Sequence, residues 1–189
     1  MGTRGLICVQ KGGEYKVAQY GQYDTDPEYR GFNILKFLRN VKLEVFESDI
    51  SECNFYTKEQ LQDILSKYEP GTMLFGAPWH RELCGVTFEE ILSLIMFGNV
   101  RNLENNIKFA QQSLHCEWGY VIDFDKRTFE IYKGFNKKNL TKKDRFYIGE
   151  DTEEYKSIKL AVSYRLDDLP TEEEFLDFFY PDKDEEGVV

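Results

Sequence analysis

Apolar positions along this chain follow two periods in alternation. Leu6-Ile7-Cys8-Val9 is a continuous apolar run bounded by Gly5 and by Lys11-Gly12-Gly13-Glu14. So short an unbroken run predicts a strand covered on both faces. The glycine pair predicts a hairpin turn, because glycine accepts positive φ. Tyr15 to Tyr20 returns as the partner strand. Asp26-Pro27 marks a turn, and Ile34, Leu35, Phe37 and Leu38 then take helical spacing, predicting a helix over 32–40. Residues 41–45 alternate and fit either a strand or a continuation of that helix. Three capping boxes, Thr57 with Gln60, Thr87 with Glu90 and Thr171 with Glu174, predict three helix starts. The second helix, through Phe97, is apolar around more than half its circumference and is expected to be the most buried. Residues 101–114 carry only a weak helical pattern. Residues 117–124 and 128–132 read as a second hairpin. Ile158, Leu160, Val162, Tyr164 and Leu166 alternate with polar or small residues, the clearest half-buried strand in the chain. Phe175, Phe178 and Phe179 belong to the last helix, which Pro181 ends.

With strands toward both ends and helices between them, the pattern predicts an α+β fold. A mainly antiparallel sheet carries packed helices, and the last strand pairs with an early one or with the second hairpin. No repeat, low-complexity block or linker interrupts it, so residues 1–189 are expected to form one domain, with 181–189 a flexible acidic tail. Aromatics at 15% favour a packed core over disorder.

Charge narrows the partners. The net charge is −10, which disfavours direct binding of nucleic acid and suits a basic partner, including a nucleic-acid-binding protein. Cys8, Cys53, Cys84 and Cys116 are widely spaced without a Cys-x-x-Cys pair, no signal-peptide pattern precedes them, and no apolar run spans a bilayer. These features predict reduced thiols, no membrane partner and a cytoplasmic location. Met1-Gly2 lacks the Ser or Thr at position 6 of the myristoylation pattern, since Leu6 stands there.

The opening Thr3-Arg4-Gly5-Leu6, the glycine-turn hairpin and the spacing Tyr20, Tyr23, Asp24, Pro27, Gly31 together resemble a little-characterised family of phages, bacteria and fungi. Its members open with M-x-T-R-G and a D-x-x-P elbow before a helix. The stretch Glu117 to Tyr132 resembles the second hairpin of the same family. The phage side of this resemblance implies a mobile-element product that binds a host factor, such as a defence component. The hairpin is also similar to that of N-terminal-nucleophile hydrolases of the bile-salt and penicillin-acylase kind, which implies hydrolase-like layers. Thr3 and Asp24 fall at comparable places, but the nucleophile position carries Gly2, which has no side chain. Thr3 would act as a nucleophile only if it became the first residue, with its own amine as base.

Other candidate chemistry is sparse. His80 and Cys84 lie close enough in sequence for a thiolate–imidazole pair, although a structural cysteine beside a surface histidine explains them as well. His115-Cys116 would complete a zinc set with them, but the spacing of structural zinc sites is absent, so no metal and no cofactor are expected. Asp123 and Asp125 share a strand face and suit a cation, acid–base work or a solvated turn. Residues 126–145 hold eight Lys or Arg, a phosphate-binding run with Phe135, Phe146 and Tyr147 nearby, or a counterweight to the acidic carboxyl-terminal segment. Arg4, Asp24 and Arg30 are the candidate ligand-binding residues, as one polar cluster at the mouth of the first hairpin. Two functions follow as expectations. One is a non-enzymatic interaction protein with a host protein partner. The other is a binder or hydrolase of a small nucleotide or amide.

Overall fold

The apolar run of the first strand sits at the interior of a five-stranded sheet. In a computed structural model of the chain, which describes residues 2–67, 73–74, 77–78, 88–149 and 152–181, β1 (Gly5–Lys11) and β2 (Glu14–Gly21) form the first hairpin. Gly12 and Gly13 both take positive φ in its turn, 65° and 77°. After the helices come β7 (Trp118–Asp123), β8 (Thr128–Lys133) and β9 (Lys159–Arg165). The sheet order is β2-β1-β7-β8-β9. Within this sheet β1 runs parallel to β7 and the other pairings are antiparallel. The fold is α+β, with a mainly antiparallel sheet.

Leu6, Ile7, Cys8 and Val9 are all buried, because side chains alternate across the pleat and both faces of β1 are covered. On one face Ile7 and Val9 meet the helices α1 (Phe32–Asn40), α2 (Leu43–Ser51), α4 (Glu90–Met96) and α5 (Glu172–Phe179) through Leu35, Phe46, Ile91 and Phe175. On the other, Leu6 and Cys8 pack with Ala110, Tyr132, Phe146 and Ile158. Those partners come from the 3-10 helix Ile107–Gln111, from β8 and from the segment between β8 and β9. Apart from the main sheet, the two-residue strands β3 (Asn54–Phe55) and β6 (Asn102–Leu103) pair parallel, and β4 (Met73–Leu74) and β5 (Ala77–Pro78) pair antiparallel. The helix α3 (Lys58–Ser66) buries none of its residues. It relies on its complete capping box, in which Thr57 and Gln60 exchange side-chain and backbone bonds.

Several expectations resolve here. Residues 43–45 continue as helix, after a break at Val41 and Lys42. The third capping box opens α5. Thr87, which would cap α4, lies outside the described residues, as do His80, Cys84 and the tail 182–189. The alternation over 158–166 is broken by a bulge. Ile131 pairs with Val162 but Tyr132 pairs with Leu160, so Ala161 is an extra residue and Leu160 is turned to the opposite face, 45% exposed. Among the described residues no helix is long and apolar enough to cross a membrane.

Candidate functional site

The amino ends of the parallel strands β1 and β7 meet at a cleft of about 690 Å³ lined by Gly2, Arg4, Gln22, Tyr23, Leu114, His115, Glu117 and Phe135. Topology puts these distant residues together. The parallel register pairs Gly5 with Trp118, so the lead-in residues 2–4 run beside 115–117. Glu117 N donates to Arg4 O at 2.8 Å, and Arg4 N donates to the Glu117 carboxylate at 3.3 Å. After β8, Gly134 N donates to Glu117 O and Phe135 N to Ser113 O. These two bonds hold Phe135 in the left-handed region, φ 51°, with its ring half exposed at 53%. A Cβ at Gly134 would overlap the carbonyl oxygens of Ser113 and Cys116, so only glycine allows this approach. Gln22 and Tyr23 follow directly from β2.

The polar part of the cleft is unusual in its pairing. Arg30 pairs with Glu89, Arg101 with Asp49 and Glu52, Arg127 with Glu47, Arg145 with Asp123 and Glu130, and Arg165 with Asp167. Arg39 donates to the carbonyl of Pro170. Among the described arginines, Arg4 alone has an imidazole as its side-chain partner, Nη2 lying 3.2 Å from His115 Nδ1. A guanidinium can only donate, so in this bond His115 Nδ1 is the acceptor. Tyr23, Leu114 and Phe135, each at least 40% exposed, supply the apolar wall. The arrangement can place an anion on Arg4 beside an apolar group.

The candidate residues are dispersed. Arg4, Asp24 and Arg30 do not form one cluster. Arg4 turns to His115, the Arg30 side chain reaches Glu89 at 2.8 Å, and Asp24 is exposed with φ 54°. The Asp24 carbonyl accepts only from the Arg30 backbone. Thr3 Oγ1 donates to Asp26 at 3.2 Å, so Asp26 rather than Asp24 sits beside it. The elbow turns at Asp24, whose backbone is left-handed and whose side chain is exposed. No family model, curated protein or solved structure matches this chain. Among the described residues, no three His, Cys, Asp or Glu side chains are grouped as a metal site.

Among the described cysteines, thiol chemistry is suppressed. Burial pushes the Cys8 and Cys116 thiols well up, and Cys53, 0% exposed, up to about 11, so none is a thiolate at neutral pH. Asp123 and Asp125 part company. Asp125 is exposed and accepts from Gly12 N and Gly13 N, 2.7 and 2.8 Å, clamping the first hairpin turn. Asp123 is fully buried and pairs with Arg145. The solvated-turn expectation therefore fails for Asp123, because a strand end that reads as polar is covered here by the β8–β9 connection. Among the described residues, the basic run pairs mainly with acids outside the carboxyl-terminal segment: Lys137 meets Glu154, Arg127 meets Glu47, and Arg145 meets Asp123 and Glu130, while Arg165 and, more weakly, Arg127 hold the Asp167 carboxyl down.

Of the cleft residues, Arg4 is visible in the sequence as a candidate, His115 only beside Cys116, and Phe135 only as a ring near basic residues. Tyr23 enters only through its spacing in the opening motif. Glu117 and Leu114 carry no site signal, since nothing local says that residues 2–4 and 114–117 run side by side.

Proposed function

We propose that this chain works by recognition rather than turnover, and that the cleft at the amino ends of β1 and β7 is its recognition surface. The observation that carries this reading is the gathering of Tyr23, Leu114 and Phe135, three exposed apolar side chains from separate segments, on one concave surface around Arg4. Exposed apolar groups collected in this way mark interaction sites, whereas scattered ones do not. The described thiols are buried and protonated, which supports binding over catalysis. The resemblance to a phage, bacterial and fungal family suggests a host protein as the partner, a defence component in the reading we favour.

The test is capture from host lysate by immobilised protein, run beside a Leu114→Ala, Phe135→Ala double variant. A partner held by the wild type and lost by the variant is expected. Hydrolysis of a small amide or a nucleotide by the purified wild type, abolished by Thr3→Ala or Cys84→Ala, would replace recognition with catalysis.

A further inference from the structure

Resting on that reading, the chemistry lining the cleft also specifies what a partner must present. We propose that the cleft captures the carboxyl end of a partner polypeptide whose last residue is apolar. Three features converge on it. Arg4 makes no ion pair among the described residues, and its one side-chain bond, to His115 Nδ1 at 3.2 Å, orients the guanidinium while leaving its other donors uncommitted. A planar fork of donors suits a carboxylate. Glu117, on the same wall, makes no ion pair among the described residues and accepts only the Arg4 backbone N–H at 3.3 Å, so it has capacity left for a donor. Tyr23, Leu114 and Phe135 form the apolar wall.

A polypeptide's last residue carries a carboxylate, its own N–H and a side chain on adjoining atoms. It offers one group to each of the three features, and carboxyl-end capture is a recurring recognition mode. A phosphate fits less well. It brings nearly two negative charges to a cleft with one guanidinium and one opposing carboxylate, on a protein whose net charge is already −10. The volume, about 690 Å³, lies within the roughly 300–1,000 Å³ of small-ligand pockets, enough for a chain end but not for a folded domain.

Fluorescence anisotropy with amino-terminally labelled Gly-Ser-Gly-Ser-Gly-Phe tests this, using the free acid and the carboxamide. The free acid is expected to bind about tenfold or more tighter than the amide, the worth of a hydrogen bond to a charged group. Arg4→Gln should weaken the acid to the level of the amide and erase the difference, while Arg4→Lys should retain part of it. Circular dichroism confirms the fold of each variant. Phe135→Ala, at an exposed position, should weaken both peptides. Equal binding of acid and amide, a preference that survives Arg4→Gln, or displacement of the peptide by adenosine monophosphate or free phenylalanine at lower concentration than the unlabelled peptide would each overturn the proposal. If no peptide binds yet the lysate partner still depends on Leu114 and Phe135, carboxyl-end capture falls and recognition at the cleft stands. If the partner ignores those two residues, the underlying reading falls.

Discussion

Arg145 lies between two buried carboxylates and shows how one side chain can fix a segment that has little secondary structure. Its guanidinium pairs with Asp123 and, at 2.7 Å, with Glu130, and bonds Gln10; it also meets the Tyr132 hydroxyl at 3.2 Å. Both acids and the arginine side chain are less than a tenth exposed. Removing one partner of such a set strands the others, so Arg145→Met is expected to cost about 3–5 kcal/mol in urea denaturation. A triple variant with Asp123→Asn and Glu130→Gln should be more stable than Arg145→Met alone, because no uncompensated charge remains. The Glu130 pKa follows from the same contacts. Burial works to raise it, but the hydrogen bonds from Arg145 and Tyr132 outweigh burial and hold it below its ordinary 4.5. A lowered folded-state pKa stabilises the fold above the ordinary value, and that stabilisation disappears as pH falls through the lowered one. Melting curves of wild type and Glu130→Gln should therefore differ most at neutral pH and converge as the pH falls below the ordinary glutamate value and through the lowered one. At this scale the sequence showed which residues carry charge but not their partners. Asp123 and Asp125 look alike two positions apart, yet one is buried against Arg145 of the β8–β9 connection and the other faces solvent.

Helices and turns with local signals were the legible elements. The boxes at Thr57 and Thr171 form because their bonds span three residues and need no tertiary partner. Thr171→Ala is expected to lose about 1 kcal/mol, read by urea denaturation, with Thr171→Ser recovering most of it. The connection after β8 is different. Gly134 is wedged against the carbonyls of Ser113 and Cys116, and this contact delivers Phe135 to the cleft. Gly134→Ala should lower the melting temperature and, in any folded fraction, weaken partner binding as Phe135→Ala does. A Phe135→Ala variant should melt like the wild type, since its ring is half exposed. The bulge at Ala161 had no sequence signature. Perfect alternation over 158–166 implied one face throughout, and the pairing with β8, not the strand's own pattern, placed the extra residue.

For the whole molecule, the decisive event is the parallel pairing of β1 with β7, more than a hundred residues apart. It inserts β1 between two strands, which pairs both of its edges and sets it at the centre of the sheet where both faces are covered, and it aligns the two lead-in segments that form the cleft. The chain's own sequence determined that there would be an α+β fold, a doubly covered first strand, two hairpins and capped helices. Each of these is written in periodicity, glycine placement or a bond between near neighbours. It also identified Arg4. Tertiary structure alone decided that Arg4 would meet His115 and Glu117 instead of Asp24 and Arg30, and that Phe135 would stand beside them. Those contacts join segments far apart in sequence, so they depend on strand order and register, which hydrophobic alternation constrains only to within a choice of partners.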